Sequence, residues 1–125
     1  MKICISSTGK NLDAVVDQRF GRCQYFLIVD IETMKVKTIS NEATLSSGGA
    51  GIQSAQIVTK EEVGSVITGN IGPNAFSVLQ AAGIKVYTGA EGTVKEAIKS
   101  YKKGELKETG SANVDSHSGI GGRKL

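Results

Sequence analysis

The residues best suited to chemistry lie in one short stretch, Asp17-Gln18-Arg19-Phe20-Gly21-Arg22-Cys23. Arg19 and Arg22 are guanidinium groups that keep their charge and can fork onto an anion. They could equally pair with Asp13, Asp17 or another nearby acid. Cys23 beside them has two readings. One is a metal ligand, a thiol whose pKa the arginines lower; the other is a small core residue at the start of a strand. Cys4, the second of two cysteines, lies between Ile3 and Ile5 and reads as core packing.

Glycine-rich turns form a second group of candidates: Gly48-Gly49-Ala50-Gly51, Gly69-Asn70-Ile71-Gly72 and Gly89-Ala90-Glu91-Gly92-Thr93. Each precedes a helical pattern, and a helix N-terminus offers free N–H groups and a positive dipole to an anion. The first turn lacks the Lys-Ser/Thr of a phosphate loop and the spacing of a dinucleotide fingerprint. Making tight turns is the alternative use of these glycines. His117, the only histidine, stands in a Gly/Ser-rich tail where nothing would hold it as a catalytic base.

Bulk composition narrows the classes. The chain has 125 residues, enough for one domain but not two. Residues 1–108 hold 13 basic and 11 acidic residues, too mild an excess for a nucleic-acid binder. Two cysteines without a CxxC exclude a disulfide scaffold and a four-thiolate metal site within one chain. No run of 18 apolar residues occurs, so no membrane helix is expected. A cytoplasmic location is the default.

The elements that must position these residues follow from periodicity. Residues 2–6, 25–30 and 34–39 read as strands, the last two as a hairpin with a wet outer face. Residues 52–62 read as a helix burying Ile52, Ala55 and Val58 or Thr59, followed by a strand over 63–68. Gly72-Pro73 opens a second helix with apolar Phe76, Val78 and Leu79, closed by Gly83. Residues 84–87 form a fifth strand. Thr93 and Glu96 have capping-box spacing, and Val94, Ala97, Ile98 and Tyr101 then share one helix face up to Lys102-Lys103-Gly104. Residues 1–108 are expected to form a single α/β domain, and 109–125 a flexible tail.

With two right-handed crossovers, this order predicts a mixed five-stranded sheet, 3-2-1-4-5, with strand 2 antiparallel and three helices. Strands 1, 3, 4 and 5 point one way. All the candidate turns therefore share the carboxyl edge of the sheet, where open α/β sheets bind ligands.

Four of these segments together resemble a known family. Asp17-Gln18-Arg19-Phe20-Gly21-Arg22, Gly49-Ala50-Gly51-Ile52, Gly69-Asn70-Ile71-Gly72-Pro73-Asn74-Ala75 and Gly89-Ala90-Glu91-Gly92-Thr93-Val94, in this order, are similar to the dinitrogenase iron–molybdenum cofactor biosynthesis family. That family includes NifX-like carriers and the C-terminal domain of NifB. The resemblance runs over about residues 2–106 and implies a ribonuclease H-like fold. It also implies binding of an iron–sulfur-type cluster or iron–molybdenum cofactor precursor, with a cofactor donor or acceptor protein as partner. Nitrogenase-linked members commonly carry a histidine before the Phe-Gly, where this chain has Arg19.

The expected function is therefore a non-catalytic carrier of an anionic cluster. Its expected contacts are Arg19, Phe20, Gly21, Arg22, Gly49, Gly51, Gly69, Asn70, Gly72, Gly92 and Thr93, with Cys23 as metal ligand. A small-anion or nucleotide-binding regulatory module without metal is the alternative. A metal-dependent nuclease, the enzyme suggested by the fold, needs clustered carboxylates. The first strand offers Ile3, Cys4, Ile5 and Ser6 instead.

Overall fold

The structure is a computed structural model, and it describes residues 1–45 and 49–112. Gly48 and His117 lie outside the described residues. Five strands, β1 (Lys2–Ser7), β2 (Tyr25–Asp30), β3 (Val36–Ser40), β4 (Ser65–Ile67) and β5 (Lys85–Tyr87), form one sheet in the order β3-β2-β1-β4-β5. β1 is central: it runs antiparallel to β2 (Cys4 opposite Ile28) and parallel to β4 (Cys4 opposite Val66). The expected strand order and directions are thus present.

Alternation along the strands divides the core into two layers. Cys4, Phe26, Ile28 and Val66 face helices α1 (Ala50–Thr59) and α2 (Pro73–Ala81), packing on Ala55, Val58, Phe76 and Leu79. Ile3, Ile5, Leu27, Val29 and Ile67 face α3 (Val94–Lys102) through Val94, Ala97 and Ile98. No helix among the described residues is long and apolar enough to cross a membrane.

The departures from expectation have local causes. α1 begins at Ala50, because Gly49 sits in the left-handed region (φ 72°) and launches the helix earlier than residue 52. Ala55 and Val58 are buried as expected, joined by Ala50 and Ser54, whereas Ile52 is 37% exposed. β3 begins at Val36, not at 34. The Asp30 carboxylate accepts Glu32 and Thr33 N–H (2.9 and 3.4 Å), and the resulting turn puts Met34 at φ 61°, incompatible with a strand. An unanticipated 3-10 turn, Glu42–Leu45, follows β3.

Residues 8–18 do more than turn. Thr8 N–H donates to Val15 O (3.0 Å), Val16 bridges Ser7, and Val15 bridges Thr93. The chain expected to become a free tail at 109 stays docked longer. Glu108 bridges Tyr87, Thr109 N–H donates to Val86 O (2.7 Å), and Ala112 packs on the core.

Candidate functional site

The segment 16–23 joins the loops at the carboxyl edge. Asp17 N–H donates to Ser6 O (2.9 Å), and Ser6 Oγ returns a hydrogen bond to Asp17 O (2.7 Å). Gln18 O accepts Asn70 N–H (2.8 Å), and Asn70 O accepts Phe20 N–H (3.2 Å), so Arg19 runs parallel beside Asn70. The Gln18 side chain reaches on to Ala90 O (Nε2 to O, 2.9 Å). Gly69 leaves room for that strap: a Cβ there would stand 2.7 Å from Gln18 Cα and overlap the Gln18 amide.

On its other side the loop meets two helix ends. A Cβ on Gly21 would fall 3.1 Å from Gly51 Cα and 3.2 Å from Gly51 N, and a Cβ on Gly51 would touch Ala75 Cβ at 3.5 Å. The first turns of α1 and α2 are thereby drawn together against the backbone of the Arg19–Arg22 loop. Gly21→Val, which must push α1 away, is expected to cost about 1–3 kcal/mol, measured as a lower denaturant midpoint.

The three helix ends are not equivalent. α1 and α2 start at Gly49 and Gly72, N-cap residues that make no side-chain cap hydrogen bond. α3 is closed. Thr93 N–H donates to Glu96 Oε1 (2.9 Å) and Glu96 N–H to Thr93 Oγ1 (3.1 Å), the capping box anticipated from spacing. Val94 N–H donates to Ala14 O (2.8 Å), Lys95 N–H to Leu12 O (2.9 Å), and Gly92 O accepts Val16 N–H (2.9 Å). This corrects the expectation that the N–H groups of Thr93 and its successors serve a ligand, since the capping box takes that of Thr93 and the 12–16 segment those of Val94 and Lys95, while Gly92 is engaged through its carbonyl. Thr93→Ala should cost about 1 kcal/mol of stability, read by thermal or denaturant melting, without changing ligand binding.

Arg19 and Arg22 are both exposed. Asp17 Oδ1 accepts the Arg19 backbone N–H at 2.9 Å and its Nε at 3.4 Å. The Asp17 side chain is 8% exposed and that of Arg19 69%. The carboxylate therefore tethers the guanidinium at Nε, the pairing with Asp17 that was one of the two readings of Arg19, while most of the side chain stays exposed.

Two of the expected contacts sit elsewhere. Phe20 is 1% exposed, with its ring 5.2 Å from Phe26, and so is a core residue beneath the loop, not a surface for a cofactor. Cys23 is fully buried in the same cluster; its Sγ donates to Phe20 O (3.3 Å). Burial, and then the nearby Asp17 charge, push its thiol up to about 12, the reverse of the lowering expected from the arginines. Cys4, wholly buried, is raised too. Both thiols should therefore resist iodoacetamide in the native protein at pH 8 and react once it is unfolded. Because the folded thiols hold their protons more tightly than the unfolded chain, their contribution is intact below about pH 9 and is lost as pH rises toward 12. Alkaline melts over that window should show the decline.

Sequence reading missed Asn41 and Ser54, both buried, which bind the underside of the loop. Their polar sequence neighbours, Ser40 and Glu42 beside Asn41 and Gln53 beside Ser54, gave no signal that they are buried.

The comparisons with known proteins agree with this architecture. The orange protein of Desulfovibrio gigas, solved in an apo form, superposes with a TM-score of 0.87 at 40% identity, covering 90% of this chain and 95% of that one. A Thermotoga protein provisionally named as NifB gives a TM-score of 0.75 at 40% identity, covering 86% and 91%. An uncharacterized protein of Methanocaldococcus jannaschii is 38% identical over 92 residues, 71% of this chain and 78% of that protein. The model of the family described as dinitrogenase iron-molybdenum cofactor matches residues 1–104, and the chain belongs to that family.

Proposed function

We propose that this protein is a non-catalytic carrier that holds an anionic iron–sulfur-type cluster, or a precursor of the iron–molybdenum cofactor, at the loop edge of a ribonuclease H-like sheet. The observation that carries the reading is the convergence of two helix starts that lack side-chain caps, at Gly49–Gly51 and Gly72, on a loop bearing Arg19 and Arg22. Helix N-termini and guanidinium groups both favour negative charge.

The donor set suits a cluster that brings its own sulfide more than a bare metal ion. Among the described residues no three His, Cys, Asp or Glu side chains gather as a metal site, and the nearest thiol is buried. Retention then depends on charge and backbone N–H groups, with the close packing at Gly21, Gly51, Gly69 and Asn70 bringing the loop and the helix starts together. A donor or acceptor protein in the same cytoplasmic compartment completes the proposed role.

Anaerobic reconstitution with iron and sulfide, followed by iron analysis and absorption spectra, tests this. Retained iron with charge-transfer absorbance, equal in wild type and Cys23→Ser, is the expected result. No retained iron would sink the carrier reading. A rise in melting temperature with phosphate-bearing ligands would then select a small-anion module using the same two helix ends.

A further inference from the structure

Beneath the arginine loop lies a buried polar cluster to which neither the ligand nor the sheet gives a role. Asn41, 3% exposed, closes β3. Its Nδ2 donates to Cys23 O (2.9 Å) and to Gly21 O (3.5 Å), and reaches Cys23 Sγ at 3.7 Å. Ser54 of α1, fully buried, donates Oγ to Gly21 O (3.1 Å) and touches Asn41 Oδ1 at 3.2 Å. Asn41 Oδ1 also accepts Ala43 N–H (3.2 Å), which orients the amide and fixes which end faces the loop.

The pattern of acceptors is the informative part. Gly21 O and Cys23 O are held by donors inside the core, Phe20 O is held by the buried Cys23 thiol, and Arg19 O is held within the loop by Arg22 N–H (3.4 Å). Four of the five carbonyls from Arg19 to Cys23 thus have internal donors, and three of those donors are buried. A loop with its oxygens held inward keeps their negative ends away from an incoming anion and leaves its exposed side-chain cations to set the outer charge, the polarity an anion requires.

We propose that Asn41 and Ser54 are positioning residues: a buried latch that turns the carbonyls of the 19–23 loop inward and so makes its outer face receptive to an anion. Cys23 belongs to the same latch as a donor to Phe20 O. The inference rests on the carrier reading for the identity of the anion, but the inward turning of the loop stands apart from it.

The deciding experiment compares wild type, Asn41→Asp and Ser54→Ala by amide hydrogen exchange and by retention of a water-soluble, thiolate-capped [4Fe–4S] cluster. Asn41→Asp keeps the shape but replaces the donor with an oxygen that repels both carbonyls. Ser54→Ala removes one hydroxyl from a helix and guards against misfolding of the first variant. Each is expected to speed exchange at Gly21, Arg22 and Cys23 about tenfold relative to β1 and β4, and to weaken cluster retention by about the same factor. Ser54→Thr, which keeps the hydroxyl, should restore both. Unchanged loop exchange in the folded variants overturns the latch, as does a loosened loop that retains the cluster as well as wild type. If wild type itself retains no cluster, the carrier reading falls, and exchange alone decides: loosening confined to 19–23 upholds the latch, and its absence overturns it.

Discussion

Replacing Arg19 and Arg22 together with glutamate is expected to weaken cluster retention by on the order of a hundredfold. Both side chains are exposed and flank the point where α1 and α2 begin, so the substitution faces an anion with two negative charges where it met two positive ones. The fold should tolerate it, because the Arg19 side chain is 69% exposed and the buried Asp17 carboxylate keeps its hydrogen bond from the Arg19 backbone N–H. Lys99→Glu with Lys103→Glu is the matching control. It makes the same change in net charge toward the far end of α3. Retention lost equally in both variants would mean that overall charge, not this loop, governs binding. Selective loss in the arginine variant, with wild-type retention that declines as salt is added, is the predicted pattern.

Phe20→Ala should have the largest effect on stability, about 3–5 kcal/mol, enough to unfold a marginal domain. The ring is among the largest fully buried side chains and packs against Phe26 in the layer shared with α1 and α2. Phe20→Leu keeps most of that volume and should retain both fold and ligand. Denaturant melts of the two variants check the difference. Were Phe20 a ligand contact, Phe20→Ala would instead leave the midpoint unchanged and reduce retention alone.

The contrast between Phe20 and its neighbours shows what local sequence can convey. The α3 capping box, the Pro73 helix start and the left-handed Gly83 (φ 78°) depend on residues a few positions apart, and the strand order follows from element order and crossover handedness; each was legible. Phe20 sits among charged and polar residues and reads as part of a surface loop, until Phe26 and the helices close over it. Cys23 misleads for the same reason: two arginines nearby in sequence suggest a lowered pKa, but the thiol points into the core. The closed state of the α3 donors was equally hidden. Their partners, the Ala14 and Leu12 carbonyls, come from some 80 residues earlier in the chain. Ile52 failed because the buried stripe of α1 runs through Ala50, Ser54, Ala55 and Val58, and helical spacing puts position 52 on another side. For the candidate site, the loops were identifiable and their meeting edge was deducible. Which groups face outward was not.

The pairing of Arg19 with Asn70, and of Gln18 with Ala90, has a bearing on when the protein can be loaded. Until Ala90 has left the ribosome, the Gln18 amide has no carbonyl to reach, and until Asn70 has emerged the arginine loop has no neighbour to align it. The site is made of distant contacts and has no local forerunner in the nascent chain. On the proposed carrier role, cargo would be taken up only after the chain through Ala90 has emerged and folded, and each molecule loaded would hold that fold in place by mass action.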